Sequence, residues 1–407
     1  MYHQIDACRI CGNRELLPIL DLGQQSLTGV FPRSRDQRIT RGPLELVKCH
    51  GKSDADHCGL VQLRHSYESS EMYGENYGYR SSLNRSMVEH LKRKAETLTR
   101  LVGLRDVDLI LDIGSNDGTL LSFYTAKGHT LVGMDPSAVK FRQFYRSDIH
   151  LITDFFSAAA FKAKFESRRA KLVTTIAMFY DLEKPIEFVQ QIVEVLADDG
   201  VWHLEQSYLP LMLSHTAYDT VCHEHIEYYT LRQIKWMADR CGLQILDVTL
   251  NNINGGSFAV TLAKAGTKLK PRQAAIESVF ALEEAGGYTG TDVYDNFRRT
   301  VSEHRHHLLA KLREFKTTGA TVLGYGASTK GNVILQYCGI TPDDVPAIAE
   351  VNADKYGCFT PGTLIPIISE AEAKERKPGY FMVLPWHFRQ GVMPQYWRIT
   401  LPLVDAP

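Results

Sequence analysis

The segment Tyr218-Asp219-Thr220-Val221-Cys222-His223-Glu224-His225 crowds a thiol, two imidazoles and two carboxyl groups together, and three chemistries compete for it. As metal ligands, His223 and His225 stand two apart, which on a strand puts both on one face, but the sequence offers no obvious third ligand. As core residues they would sit in a satisfied hydrogen-bond network. As catalysts, an imidazole near its ordinary pKa of about 6.5 takes up a proton at neutral pH, and a neighbouring carboxylate orients the ring and stabilises its charged form. The phenols of Tyr218, Tyr228 and Tyr229 are suited either to hold an enolate oxygen or simply to pack.

Upstream, Leu109-Ile110-Leu111-Asp112-Ile113-Gly114-Ser115-Asn116-Asp117-Gly118 reads as a buried strand running into a Gly-rich turn. Small residues there let backbone N–H groups approach a ligand at the carboxyl end of a strand, the usual crevice of doubly wound sheets. The next run, Val132-Gly133-Met134-Asp135-Pro136, ends in an acid suited to gripping two ribose hydroxyls. Asp154-Phe155, after a further short run, is placed to bracket an adenine with a carboxylate and an aromatic face. The turn is not a G-x-G-x-x-G fingerprint, and Asp-x-Gly-x-x-x-Gly followed by a strand-end acid fits S-adenosylmethionine better than a dinucleotide. The candidate cofactor contacts are Asp112, Gly114, Ser115, Asn116, Asp117, Asp135, Pro136, Asp154 and Phe155.

A later turn, Gly324-Tyr325-Gly326-Ala327-Ser328-Thr329-Lys330-Gly331-Asn332, has the chemistry of a phosphate cradle: backbone N–H groups at a helix N-terminus, hydroxyls and one ammonium. It is not a Walker A sequence and lacks the acid of a dinucleotide site, so a substrate diphosphate is the expected guest of Ser328, Lys330 and Asn332. The Tyr- and Gly-rich stretch from Tyr73 to Ser82, which contains Tyr77-Gly78-Tyr79-Arg80-Ser81, is compatible with a loop that closes on a ligand, and equally with a linker. At the other end of the chain, Cys8-Arg9-Ile10-Cys11 forms a knuckle that presents two thiolates to one tetrahedral ion, with Cys49 and Cys58 to supply the second pair. Four protein ligands make a closed, structural zinc site. The second pair is widely spaced, which lets His50 or His57 compete as a ligand.

These groups need three frames to hold them. The 407 residues are too many for one ordinary domain, and 44% hydrophobic with 23% charged residues describes a multidomain globular protein. A net charge of -1 points to neither nucleic acid nor an anionic membrane as a partner. The start of the chain lacks a signal-peptide pattern and no run approaches a membrane helix, so a cytoplasmic location is expected. The first sixty residues have short apolar runs and need a staple. Beyond them, Leu109–Ile113, Thr130–Met134, Leu172–Met178 and Val201–Glu205 alternate with helix-like stretches such as Pro185–Leu196, which argues for an α/β fold with a parallel sheet. A boundary near Ala265–Pro271 precedes a second α/β unit, in which a helical stretch, Val301–Thr317, feeds the strand Ala320–Tyr325.

Taken in order, the cysteine knuckle, Tyr77-Gly78-Tyr79-Arg80-Ser81, the Gly114 turn, Tyr218 through His225, the Lys330 turn and Leu384-Pro385-Trp386-His387-Phe388 resemble the zinc-containing, S-adenosylmethionine-dependent sugar C-methyltransferases. The resemblance spans essentially the whole chain. It implies a zinc-binding N-terminal domain (1–75), a central Rossmann-like class I methyltransferase domain (76–265) and a C-terminal Rossmann-like domain (266–407) that helps to hold the nucleotide. The implied substrate is a nucleotide-linked 4-keto-6-deoxy sugar, dTDP-linked foremost, methylated on carbon through an enolate in branched deoxysugar biosynthesis. On this resemblance His225 is the base, with Glu224 its orienter or a sugar-hydroxyl ligand. Tyr79 contacts the sugar, with Tyr77 and His223 behind it, and Arg80, Ser81, Tyr180 and Tyr218 complete the substrate side. The resemblance favours methylation at C3, but Ala177-Met178-Phe179-Tyr180-Asp181 has no histidine where some relatives that methylate C3 place one; Tyr180 or Asp181 stands in for it, and C5 is left open. The competing functions are an O- or N-methyltransferase and a non-catalytic nucleotide-sugar binding protein.

Overall fold

The computed structural model describes residues 1–51, 57–73 and 78–386, so Tyr77, His387 and Phe388 lie outside the described residues. At its centre is a seven-stranded sheet in the order Leu243–Asn251, Ser257–Lys264, Leu196–Ser207, Ala170–Ile176, Leu109–Ile113, Thr130–Met134, Ile149–Ile152. The last five run parallel, whereas Ser257–Lys264 is antiparallel to both its neighbours. Leu109–Ile113 is buried at every position, as a run covered on both faces must be. The chain direction across the sheet reverses on either side of this strand, and ligands settle at such a switch point. Its register sets Asp112 beside Gly133 on one side and Thr174 on the other.

The N-terminal sheet pairs Leu16–Ser26 with Arg41–Cys49 and the latter with Val61–Leu63. Its fourth strand comes from far along the chain: Glu227–Tyr228 pairs antiparallel with Val61–Leu63, Glu227 opposite Gln62. The segment that carries His225 is thereby fastened to the N-terminal sheet. The C-terminal sheet has four parallel strands, Ile367–Ser369, Ile348–Glu350, Val322–Tyr325 and Tyr380–Val383, in that spatial order.

Cores cross these frames. Cys8, Ile10, Cys49, Cys58 and Leu60 are buried in the same cluster as Trp202 of the central sheet and as Phe179 and Tyr229, while Ile19, Leu20, Leu44 and Leu46 pack with Val333, Ile334 and Leu335. The helix Gln273–Ala285, just past the expected boundary, buries Ile276 and Val279 in the central cluster. The late helix runs Asp292–Thr317, starting well before the expected Val301, and the strand after it is Val322–Tyr325. Among the described residues no helix is long and apolar enough to cross a membrane.

Candidate active site and metal centre

The four cysteine sulfurs lie within 4.8 Å of one another. Cys8 Sγ is 3.5 Å from Cys58 Sγ, and Cys11 Sγ is 3.5 Å from Cys49 Sγ. Zinc–sulfur bonds of about 2.3 Å in a tetrahedron require sulfurs about 3.8 Å apart, so the cluster fits zinc. Gly12, at φ +73°, closes the knuckle, and its N–H donates to the Cys8 carbonyl. The wide spacing of the second pair is a hairpin: Lys48 faces Val61 and the Cys49 N–H donates to the Leu60 carbonyl, which sets Cys58 beside Cys49 across the pair. Asn13 Nδ2 donates to Cys49 Sγ at 3.4 Å, an outer contact that suits a thiolate. Among the described residues, His50 and His57 are not part of this sulfur cluster.

At the carboxyl edge of the central sheet lies a cavity of about 370 Å³. Asp112, Gly114, Ser115, Asn116, Asp135, Pro136 and Phe155 line it. Gly114 has φ +73°, and a Cβ there would come within 2.9 Å of Met178 Cγ, so the turn admits no side chain at this position and Met178 packs directly on its backbone. The Asn116 N–H donates to Asp135 Oδ2 at 2.8 Å, and Ser137 N–H donates to Oδ1 at 2.7 Å, fixing the strand-end acid at the cavity wall. Asp112 accepts a hydrogen bond from Thr174 Oγ1 at 2.6 Å, and burial pushes its carboxyl up to about 7. Two expected contacts stand elsewhere. Asp117 accepts from Thr119 Oγ1 and the Ser82 N–H, holding the turn rather than lining the cavity, and the Asp154 carboxylate accepts from the adjacent Phe155 N–H. The crevice suits S-adenosylmethionine in its acid, its glycine turn and its mixed polar and apolar wall. Bound there, that cofactor supplies an electrophilic methyl group on a sulfonium.

A polar cluster abuts the same cavity. Its wall residues Tyr73 and Asn254 reach outward, the Tyr73 phenol donating to the Glu224 carbonyl at 3.4 Å and the Asn254 carbonyl accepting from Lys330 Nζ at 3.1 Å. His225 packs its ring on Tyr180, with centroids 4.3 Å apart. Its Nδ1 lies 3.2 Å from the Thr220 carbonyl. A carbonyl only accepts, so Nδ1 carries the proton and Nε2 keeps a lone pair. Burial, and then the Lys330 ammonium, lower the imidazole to about 3, so the ring is neutral at ordinary pH. The expected orienter differs: Thr220 holds the ring, while the Glu224 carboxylate is approached by Thr28 Oγ1 at 3.5 Å and packs so closely on Gly29 that a Cβ there would sit 2.2 Å from Oε1. Burial raises the Glu224 carboxyl.

Other expected substrate residues are divided. Tyr79 is 44% exposed at the cavity wall, where Ser81 also lies, its N–H donating to Asn116 Oδ1 at 2.9 Å. The Arg80 guanidinium stacks on Phe144 at 4.2 Å. Three are core groups. Tyr218 is buried and hydrogen-bonded to His304 Nδ1 at 3.0 Å. His223 is buried edge-on against Tyr67. Asn332 is buried with its Nδ2 donated to the Thr28 carbonyl at 2.7 Å, tying the Lys330 helix to the N-terminal sheet. Ser328 caps that helix through the Gly331 N–H. The strand after this turn does end in an acid, Glu350, contrary to expectation. It accepts from the N–H groups of Ala327, Val351 and Asn352, so its oxygens brace the turn.

One group of site residues escaped the sequence reading. Glu205, on the cavity wall and buried, accepts from His90 Nε2 at 2.5 Å, Lys94 Nζ at 2.7 Å and Asn251 Nδ2 at 3.1 Å. Two signals were available: an acid ending the apolar strand Val201–Glu205, and His90 and Lys94 four apart on one helix face. Burial alone would raise this carboxyl, but the His90 hydrogen bond and the Lys94 ammonium prevail and bring it down from 4.5 to about 2. A depressed acid stabilises the fold fully above its unfolded pKa and loses that contribution as pH falls toward the folded one, about 3 kcal/mol in all. Urea unfolding at about pH 6 and about pH 3 is expected to show this loss in the wild type and a much flatter dependence in Glu205→Gln. Equal pH dependence in both would remove Glu205 from the account.

Comparisons with known proteins agree with this geometry segment by segment. A model described as "Putative zinc binding domain" matches residues 8–73, one described as "Methyltransferase domain" matches residues 87–248, and one described as "C-methyltransferase C-terminal domain" matches residues 252–400. The C-methyltransferase NovU of Streptomyces niveus is 29% identical over 393 residues, covering 96% of this chain and 91% of NovU. Among solved structures, the plantazolicin methyltransferase BpumL bound to a monoazolic desmethylPZN analog and SAH is 16% identical, with a TM-score of 0.37 over 45% of this chain and 86% of that one. With the cysteine cluster, the cofactor crevice and three consecutive family matches in one chain, the protein belongs to the zinc-containing, S-adenosylmethionine-dependent C-methyltransferases.

Proposed function

We propose that the substrate is a nucleotide-linked 4-keto-6-deoxy sugar, dTDP-linked foremost, methylated at C3 through an enolate in the cytoplasm. The observation that carries this reading is the neutral His225 ring, its Nδ1 spent on Thr220 and its face against Tyr180, in a cluster that meets the cofactor cavity through Tyr73 and Asn254. His225 Nε2 takes the proton from the carbon beside the ketone. Lys330, at a helix N-terminus, offers the charge that a diphosphate requires. Tyr79 contacts the sugar, and Glu224 binds a hydroxyl. The NovU likeness supports a C-methyltransferase of the same kind. In this reading residues 1–75 hold zinc, 76–265 hold the cofactor and 266–407 help to hold the nucleotide, and methylation at C5 is the nearest alternative outcome.

Mass spectrometry of products from the purified protein, S-adenosylmethionine and a panel of nucleotide-linked 4-keto-6-deoxy sugars in heavy water tests the proposal. The expected product gains one methyl, and deuterium enters the carbon next to the ketone. Cofactor binding with no sugar methylated would overturn the sugar assignment, and a methyl on oxygen or nitrogen would overturn enolate chemistry.

A further inference from the structure

Enolate formation requires more than a base, because charge leaves the carbon and collects on the carbonyl oxygen. Asp181, at the end of the short turn Phe179–Asp181, forms part of the cavity wall. Its Oδ1 is buried and has no hydrogen-bond partner among the described residues. The groups acting on it are Tyr73 from the helix Ser69–Tyr73, whose one phenolic proton is shared between this carboxyl and the Glu224 carbonyl, and the acids Glu224 and Glu227 of the His225 segment. Burial first, and then these two acids, push the Asp181 carboxyl well above the usual range, against the opposing Tyr73 bond. Three acids sharing one buried region do not all ionise.

We infer that Asp181 works as a neutral carboxylic acid that donates a hydrogen bond to the oxygen on which negative charge develops. The inference rests on the enolate reading above. The C–H bond breaks, its proton goes to His225 Nε2, and its electron pair forms the C=C bond as the carbonyl pair moves onto oxygen. Asp181 keeps its proton and shares it with that oxygen. The carbon then attacks the methyl group, the S–CH₃ pair stays on sulfur, and the carbonyl re-forms. A buried acid held neutral by an apolar site is a known way to build an oxyanion donor. An unmet buried polar atom at a cavity wall also calls for a partner, which the substrate oxygen provides.

Full-length Asp181→Ala and Asp181→Asn test this, with calorimetric cofactor binding as the check on folding. Asp181→Ala is expected to lower both turnover and deuterium exchange into the keto sugar by about 10²–10³-fold, the loss typical of one oxyanion donor. Asp181→Asn keeps a neutral donor and is expected to retain most of that exchange. Asparagine as poor as alanine would overturn the inference in favour of an ionised carboxylate, and alanine at wild-type rate would remove Asp181 altogether. Infrared difference spectra give a readout independent of substrate: the protonated-carboxyl C=O band is expected in the wild type and lost in Asp181→Asn. Absence of that band overturns the inference. The band together with a wild type idle on every sugar overturns the sugar reading and leaves the neutral acid supported.

Discussion

Replacing His225 by alanine is expected to lower turnover by about 10²–10⁴-fold, the range for a positioned base, while S-adenosylmethionine binding stays close to wild type. The separation follows from placement. His225 packs on Tyr180 and bonds Thr220, whereas the cofactor turn is braced by Asn116, Asp135 and Ser137 in the central sheet. The low proton affinity of the ring, near 3, belongs to a site in which burial and Lys330 both disfavour its charged form. On the proposed reading a diphosphate beside Lys330 cancels one of those two effects, so the base strengthens when substrate arrives. A further consequence is that kcat/KM, which reports the free enzyme, should show no limb from this histidine between about pH 5 and about pH 8. Single-turnover rates and cofactor titrations of His225→Ala decide the matter, and unchanged turnover would strike His225 from the mechanism.

Local pattern made the cofactor strand legible to the residue. Leu109–Ile113 is a fully apolar run but for Asp112, bounded by a glycine that the turn needs at positive φ. The helix Pro185–Val195 was equally plain, with proline at its first turn and an apolar face. What escaped notice depends on contacts between distant segments. Nothing near Glu205 in sequence announces His90 and Lys94, more than a hundred residues earlier, and nothing near Tyr218 announces His304. The residues alone left Tyr218 either to hold an enolate oxygen or to pack and the resemblance put it on the substrate side, yet the helix Asp292–Thr317 claims its hydroxyl for the core. The ring of His225 was expected to lean on Glu224, its neighbour in sequence; adjacent side chains diverge, and a carbonyl five residues back does the work. The cysteine pair was ambiguous for the opposite reason, since spacing alone is silent about a hairpin whose register brings Cys49 and Cys58 together.

Removing the metal is expected to cost the protein more than its N-terminal sheet. Structural zinc contributes about 10–16 kcal/mol of apparent binding free energy in small metal-dependent folds, against about 5–15 kcal/mol of net stability in an ordinary domain. Without the ion, four sulfurs confined within 4.8 Å cannot all stay thiolates, and the knuckle loses its only staple among the described residues. The damage then spreads by two routes. Cys8, Cys49, Cys58 and Leu60 share a buried cluster with Trp202 and Tyr229, so loosening them opens the central core. Val61–Leu63, directly after this site, is also the strand on which Glu227–Tyr228 rests, so the His225 segment loses its support. Metal analysis is expected to find one zinc per chain, and calorimetry after chelation a lower melting temperature with loss of turnover in step. Cys8→Ser, Cys11→Ser, Cys49→Ser and Cys58→Ser should each reproduce the effect, while His50→Ala and His57→Ala should keep the metal. A purified protein without metal that melts as before after chelation would refute the site, and metal lost from a histidine variant would redraw its ligands.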